Sequence, residues 1–196
     1  NIYGPHDNFN IQDGHVIPGL MHKVKLAMEE GGPSFKIWGS GTPLRQFIYS
    51  EDLARLFVWA LYHYDDPSPI IFSTDEASEI SIADVAREIA KAAKYPKELE
   101  FDTTKSDGQF KKTADNSKLK ALCPDFQFTP FAEGIQKTVD WFWENWSMVN
   151  NAKFSCLNGL EPKSDHVSNT GDLYGVSALD EDWVTLNQMI RYYKFG

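Results

Sequence analysis

Residues 81–101 read SIADVAREIAKAAKYPKELEF and contain the clearest helix-to-strand transition in the chain. Ser81, followed three residues later by Asp84, resembles a capping box and predicts that a helix begins there. Apolar residues recur along one face of this helix, namely Ile82, Val85, Ala86, Ile89, Ala90 and Ala93. The run ELEF at 98–101 then predicts a strand.

The same alternation of helices and strands extends in both directions from this stretch. Further helices are predicted from His15 to about Gly31, from Glu51 to about Leu61 behind a Ser50 cap, over 115–122, and from Thr129-Pro130 to Trp146. Further strands are predicted over 35–38, over 45–49 and over the continuous apolar run 70–73, which is typical of a buried parallel strand. Residues 1–15 and 103–113 are predicted loops. This alternation indicates an α/β fold with parallel strand pairing.

Composition and charge limit the classes of function. The chain is 42% hydrophobic, which is enough for a core, and it carries 19 Lys and Arg against 28 Asp and Glu, a net charge of −9. This balance argues against a protein that mainly binds nucleic acid or an anionic membrane. Cys123 and Cys156 form neither a disulfide framework nor a zinc pattern, so a reducing, cytoplasmic location is expected.

The character of the sequence changes after Trp146. Residues 1–146 carry the periodic segments, whereas 147–196 are rich in Asn, Ser, Gly and Asp and keep no steady period until a last predicted helix at 180–196. We therefore predict one α/β unit over 1–146 and an atypical, mobile tail over 147–196. The missing initial methionine leads us to expect a fragment of a longer chain.

The loop before the first helix holds one candidate for acid–base chemistry. His15 directly precedes a predicted helix, where the positive end of the macrodipole favours a neutral imidazole that can exchange protons near pH 7. Taken alone, a capping or surface histidine is the simpler interpretation. Several histidines and aspartates near the start of the chain could in principle bind a metal ion, namely His6, Asp7, Asp13, His15 and His22. Their spacing is not typical of a metal centre, so no metal site is predicted there.

Two further stretches combine features suited to an anionic ligand. In WGSGTPLRQF (38–47), a glycine turn separates Trp38, an aromatic plane, from Arg45, a guanidinium fork that suits phosphate. Leu44 replaces the third glycine of a dinucleotide fingerprint and the turn leads into a strand, so that motif is not predicted. In KSDGQFKK (105–112), lysines surround Asp107-Gly108 and form a local positive region. Taken alone, a buried Trp and a surface Arg are the simpler explanation of the first stretch, whereas an ordinary solvated loop explains the second stretch equally well.

Together, NIYGPHDNFN…GHVIPGL, WGSGTPLRQFIY…EDLA and FDTTKSDGQFKKT closely resemble the GDP-L-fucose synthase family of extended short-chain dehydrogenase/reductases. The resemblance covers residues 1–146 and is to the C-terminal half of that family. It implies a substrate-binding lobe plus the last strands and helices of a Rossmann sheet. The family's glycine-rich loop and Tyr-x-x-x-Lys pair do not occur in this sequence, so the chain alone is expected to be inactive.

The resemblance implies an NADP(H)-dependent 3,5-epimerisation and 4-keto reduction of GDP-4-dehydro-6-deoxy-D-mannose by a homodimer. His15 matches the catalytic histidine of the family, and Asn1, Ile2 and His15 match positions that border the cofactor. The resemblance also implies GDP-sugar contacts at Lys23, Trp38, Arg45 and Asp107.

Two alternatives stay open. One is another nucleotide-sugar epimerase or dehydratase of the same superfamily, against which GHVIP and KSDGQFKK argue. The other is a truncated product that binds a partner without catalysis.

Overall fold

A computed structural model describes residues 1–11, 13–29 and 32–151. The chain divides into two compact units, Asn1–Asn145 and Trp146–Gly196. The described part of the second unit is one short helix, Trp146–Asn151. The predicted tail mobility and the predicted helix at 180–196 lie outside the described residues.

Six α-helices occur in the described part of the chain. They are α1 (Val16–Met28), α2 (Ser50–His63), α3 (Ile82–Ala92), α4 (Ser117–Leu122), α5 (Phe131–Glu144) and α6 (Trp146–Asn151). The bounds of each lie within three residues of a predicted helix, apart from the additional short α6. Ser50 is the first residue of α2 instead of its cap, because Tyr49 holds the extended N-cap conformation.

Seven short strands form three small sheets in the same described ranges. They are β1 (Ile2–Tyr3), β2 (Lys36–Trp38), β3 (Leu44–Arg45), β4 (Ile48–Tyr49), β5 (Ile80–Ser81), β6 (Glu100–Asp102) and β7 (Lys111–Lys112). The pairs β1–β4 and β2–β6 are parallel, with Ile2 opposite Ile48 and Ile37 opposite Phe101. Strand β3 lies between antiparallel β5 and parallel β7. The α/β class with parallel pairing is confirmed.

Helix α3 begins where the spacing of Ser81 and Asp84 predicts. The Ser81 hydroxyl accepts a hydrogen bond from the Asp84 N–H at 3.0 Å and donates one to Asp84 Oδ2 at 2.6 Å. On the inner face of α3, Val85, Ala86 and Ile89 are fully buried, and this helix packs against α1 and α5. Part of the core of the first unit therefore lies between these three helices.

The predicted strand at 70–73 is wrong. These residues have no strand conformation, and Ile71 is exposed. The carbonyls of Ser73 and Thr74 accept hydrogen bonds at 2.8 Å from the side-chain amides of Asn116 and Gln46. Because side chains satisfy the backbone here, the segment is held against the core without a strand ladder.

The predicted single strand at 45–49 is two strands in different sheets. Gln46 is buried between them, and its amide group also bonds the backbone N–H and carbonyl of Ala114. The chain thus leaves one sheet after Arg45 and enters another at Ile48. Strands β1 and β7 likewise occupy segments that were predicted to be loops.

Candidate functional site

The structure brings two of the predicted substrate-binding residues into contact. Lys23 lies on α1, about two helical turns after His15, and Trp38 ends β2 with 61% of its surface exposed. The Nζ atom of Lys23 lies 4.0 Å from the centroid of the Trp38 ring, which is a cation–π contact. Burial lowers the pKa of the Lys23 ammonium, while the ring face favours its charged form. The pair presents a cation on an exposed aromatic plane.

The turn that follows Trp38 is fixed by a residue from a distant loop. Gly39 and Gly41 have φ angles of +84° and +77°, a region that favours glycine. Asp107 Oδ1 accepts a hydrogen bond from the Ser40 N–H at 2.6 Å, and Asp107 Oδ2 accepts one from the Ser40 hydroxyl at 2.8 Å. Asp107 therefore lies directly against the turn that carries Trp38.

Arg45, at the other end of this turn, reaches the same distant loop. Its Nη1 donates to the Leu44 carbonyl at 2.7 Å, and its Nη2 donates to the Gln109 carbonyl at 2.8 Å. The pairing of β3 with β7 brings the two segments side by side. Since a guanidinium has five N–H donors, these contacts leave further donors in its fork. The structure thus gathers Trp38, Arg45 and Asp107 around one turn.

The positive region predicted at 105–112 is smaller than the sequence implies. The Lys111 ammonium pairs with two carboxylates, those of Glu76 and Glu79. Its hydrogen bonds to Glu76 and then Glu79 raise the pKa of Lys111, so its charge is compensated locally. Lys105, in the loop before β7, and Lys112, in β7, are exposed.

His15 occupies the predicted place at the start of α1. It is the N-cap residue, its side chain is exposed and makes no capping hydrogen bond, and its carbonyl accepts from the Gly19 N–H at 2.9 Å. The imidazole is therefore not required for starting the helix, and it lies on the surface at the end of the 1–15 segment.

A second histidine, His22, anchors the loop that leads to His15, a role that was not predicted from the sequence. His22 Nδ1 lies 2.6 Å from the Phe9 carbonyl oxygen, and because a carbonyl only accepts, Nδ1 carries the proton. The Phe9 ring stacks on Phe142 with centroids 4.3 Å apart. The position of His22 two turns after His15 on one helix was the available signal.

Two of the three residues predicted to border the cofactor, Asn1 and Ile2, lie at the parallel β1–β4 pair, whereas the third, His15, precedes α1. The side-chain amide of Asn1 donates to the Gln46 carbonyl at 2.8 Å, and the Asn1 carbonyl accepts from the Ile48 N–H at 2.9 Å. Ile2 is half-buried in β1. Both residues therefore help to join the first strand to the segment that follows Arg45.

Neither a metal cluster nor a membrane span occurs in the described ranges. No group of three or more His, Cys, Asp or Glu side chains there could hold a metal ion. None of the helices in these ranges combines the length and apolar character that crossing a bilayer requires.

Comparison with known proteins agrees with this fold. Residues 1–73 match the NAD dependent epimerase/dehydratase family. The predicted fold class, the C-terminal part of an extended short-chain dehydrogenase/reductase, is confirmed.

Within that class, three similar proteins are named as GDP-L-fucose synthases or synthetases. The GDP-L-fucose synthase of Dictyostelium discoideum is 56% identical over 146 residues, which are 74% of this chain and 45% of that protein. The probable GDP-L-fucose synthase of Drosophila melanogaster is 46% identical over 155 residues, covering 76% and 48% of the two chains. A crystal structure of a GDP-L-fucose synthetase from Naegleria fowleri bound to NADP matches with a TM-score of 0.73 at 48% identity, covering 75% and 46%.

The resemblance to the GDP-L-fucose synthase family is therefore confirmed. The chain spans about half the length of these relatives.

Proposed function

We propose that this chain supplies the GDP-sugar-binding half of an NADP(H)-dependent enzyme that converts GDP-4-dehydro-6-deoxy-D-mannose to GDP-L-fucose. The observation that carries the proposal is the Lys23–Trp38 pair, which puts a cation and an exposed aromatic plane together. Both residues occupy positions that the family resemblance assigns to the substrate. The identity of 56% to a protein named GDP-L-fucose synthase supports this assignment.

The surface around the glycine turn has the chemistry that a nucleoside diphosphate sugar requires. The exposed Trp38 ring offers apolar area for a planar base or for the face of a sugar. The ammonium of Lys23 and the remaining N–H donors of Arg45 offer positive charge to the diphosphate. In this proposal these three side chains bind the substrate, and Asp107 belongs to the same surface.

His15 is proposed as one member of the acid–base pair for epimerisation. The protons on carbons 3 and 5 of the sugar lie alpha to the 4-keto group and are acidic for that reason. Removing each proton and returning one on the opposite face inverts the centre, which needs an acid and a base on opposing sides. An exposed imidazole suits one of these roles. Cys123 and Cys156 match no family motif and are given no part.

NADP(H), when bound, supplies the hydride that reduces the 4-keto group. Asn1 and His15 are exposed and Ile2 is half-buried, so these residues fit the border of a dinucleotide. The sequence contains no glycine-rich pyrophosphate loop and no Tyr-x-x-x-Lys pair. We therefore propose that residues 1–196 alone show no reductase turnover. Assembly as a homodimer and a cytoplasmic location stay predictions.

Titration calorimetry of the chain with GDP, UDP and dTDP tests the substrate class. The proposal predicts that GDP binds more tightly than the other two nucleotides. UDP or dTDP binding as tightly as GDP would favour another nucleotide-sugar epimerase or dehydratase. Absence of binding by all three would contradict the proposal and favour a non-catalytic product.

A further inference from the structure

Gln46 is a buried polar side chain that bonds two distant segments of the chain. It lies between β3 and β4 and is 5% exposed. Its Nε2 donates to the carbonyls of Thr74 at 2.8 Å and Ala114 at 3.2 Å, and its Oε1 accepts from the Ala114 N–H at 2.6 Å. The amide thus bonds both backbone groups of Ala114, and this two-point contact is called the Gln46–Ala114 bridge below.

The backbone on the Gln46 side of the bridge is fixed by other contacts. The preceding residue, Arg45, lies in β3, which also pairs with antiparallel β5. The Gln46 carbonyl accepts from Asn1 Nδ2 at 2.8 Å, and Ile48 lies in the parallel β1–β4 pair. Because these contacts hold the chain before and after Gln46, its side chain is a fixed point to which Ala114 is attached.

The bridge lies just beyond a strand that carries part of the proposed substrate surface. Ala114 follows β7 by two residues, and β7 itself has only two residues paired with β3. The loop before β7 contains Asp107, a predicted substrate contact, and the Gln109 carbonyl, which accepts from Arg45 Nη2 at 2.8 Å. Since so short a ladder provides few hydrogen bonds, the bridge supplies support for its register at the far end.

Loss of the Gln46 amide would release this end of the loop. An apolar side chain at this position would leave the Thr74 carbonyl and both backbone groups of Ala114 without their partners. Backbone groups that lose a partner inside a protein rearrange to reach water or another group, at a free-energy cost. The segment from Ala114 back to the loop before β7 is the part that would move.

We propose that Gln46 is a positioning residue, which fixes β7 through the Gln46–Ala114 bridge and thereby holds the loop with Asp107 and Gln109 beside Arg45. It acts from behind the site, because its buried amide is bonded to the protein's own backbone. This inference rests on the proposed function for its ligand, but the bridge itself exists without one.

The first test needs no ligand and measures the pairing of β3 with β7. The Leu44 N–H donates to the Phe110 carbonyl at 2.8 Å, so its exchange with D₂O, followed by NMR, reports on this pairing. Gln46→Met keeps the side-chain length and removes the amide. Exchange at Leu44 should become at least about tenfold faster, relative to exchange at Ile89 inside α3. Equal changes at Leu44 and Ile89, or none, would overturn the inference.

Gln46→Asn is a second variant, which decides the question if the methionine variant does not fold. It keeps an amide but shortens the side chain by one methylene, so the 2.6 Å bond to the Ala114 N–H cannot form with both backbones in place. Exchange at Leu44 should again become faster than exchange at Ile89. Exchange as slow as in the parent chain would overturn the inference.

The second test measures GDP affinity by titration calorimetry. Both Gln46 variants should weaken GDP binding about threefold to tenfold, and in an Arg45→Ala background this loss should be clearly smaller, since the two residues act on one site. Asp52→Ala removes buried hydrogen bonds to Thr129 and is the control for lost stability, so it should bind GDP as the parent chain does.

Two results of this titration would overturn the inference. One is an equal loss of affinity in Asp52→Ala, which would mean that stability alone governs binding. The other is an equal loss from Gln46→Met with and without Arg45. If the parent chain binds no GDP, the proposed function fails, while exchange at Leu44 still decides whether Gln46 holds β7 in place.

Discussion

The ammonium nitrogen of Lys23 lies 4.0 Å from the centroid of the Trp38 ring. The first residue is held by helix α1 and the second by the end of strand β2, so two different elements set the geometry of the pair. The ligand surface proposed above therefore depends on the packing of the fold as well as on the two side chains.

Replacing Lys23 by methionine should weaken GDP binding with little change in the free energy of unfolding. The variant keeps the aliphatic length and removes an ammonium whose pKa is lowered by burial, so the free energy of unfolding should change by less than about 1 kcal/mol. GDP affinity should fall at least about tenfold through loss of a charge partner for phosphate. Calorimetry and urea unfolding measure the two quantities.

Lys25→Met is the matched control for that variant. Lys25 lies on the same helix and its Nζ is 5.1 Å from the centroid of the Trp143 ring, a contact of the same kind at another place. This control should bind GDP as the parent does. Equal loss of affinity in both variants would show that overall charge, instead of the Lys23–Trp38 pair, governs binding.

Arg45 should not be replaceable by lysine. Its guanidinium donates to the carbonyls of Leu44 and Gln109 from two different nitrogens and still keeps donors for a ligand, whereas all three donors of a lysine lie on one nitrogen. Arg45→Ala should weaken GDP binding by about 1.5–3 kcal/mol, and Arg45→Lys should recover only part. Arg87→Ala, which removes an exposed arginine paired with Asp84, should have no effect. Unchanged affinity in Arg45→Ala would remove Arg45 from the site.

Asp52 should be a major contributor to the stability of the first unit. This carboxylate is 1% exposed and accepts hydrogen bonds from the Thr129 N–H at 2.7 Å and from its hydroxyl at 3.0 Å, beside the Arg55 guanidinium. Asp52→Ala leaves these donors without a partner and should cost about 2–4 kcal/mol in urea unfolding. The exposed control Asp65→Ala should stay within about 0.5 kcal/mol. A small effect of Asp52→Ala would mean that water replaces the carboxylate.

Asp66, in the loop after α2, should lose its stabilising contacts in acid. The Ser68 N–H and then the Lys118 ammonium hydrogen-bond Asp66 and lower its pKa from 3.8 to about 2. Because the folded-state pKa is the lower one, this contribution to stability is fully present above pH 3.8 and is lost as the pH falls to about 2. A ¹³C NMR titration of the carboxyl group measures it. Lys118→Met should raise the pKa of Asp66, whereas Lys120→Met, which removes the partner of Asp75, should not.

Local patterns were sufficient to predict five of the six helices in the described ranges. The stripe of buried residues in α1 and the hydrogen bonds between Ser81 and Asp84 both follow from spacings of three and four positions. The strand at 70–73 could not be judged in this way, because a strand requires a ladder partner and here the amides of Asn116 and Gln46 take that place.

In the candidate site too, residues close in sequence could be paired from the sequence, whereas contacts between distant segments could not. Trp38 and Arg45 flank one turn and could be paired by inspection. The contacts of Lys23 with Trp38 and of Ser40 with Asp107 join segments that only the tertiary fold brings together. The role of His22 was missed for the same reason, since its partner is a backbone carbonyl with no sequence signature.

The most direct test of the central claim follows proton exchange at the sugar in a complete enzyme that carries this chain. Deuterium wash-in from D₂O at carbons 3 and 5 is recorded without NADPH, so that reduction cannot hide the step. His15→Gln should slow exchange at both positions about 10²–10⁴-fold while GDP-sugar binding changes little, because glutamine keeps polarity and loses the titrating group. His63→Gln, a change to an exposed histidine at the end of α2, should exchange at the parent rate. Exchange at the parent rate in His15→Gln would contradict the catalytic assignment of His15.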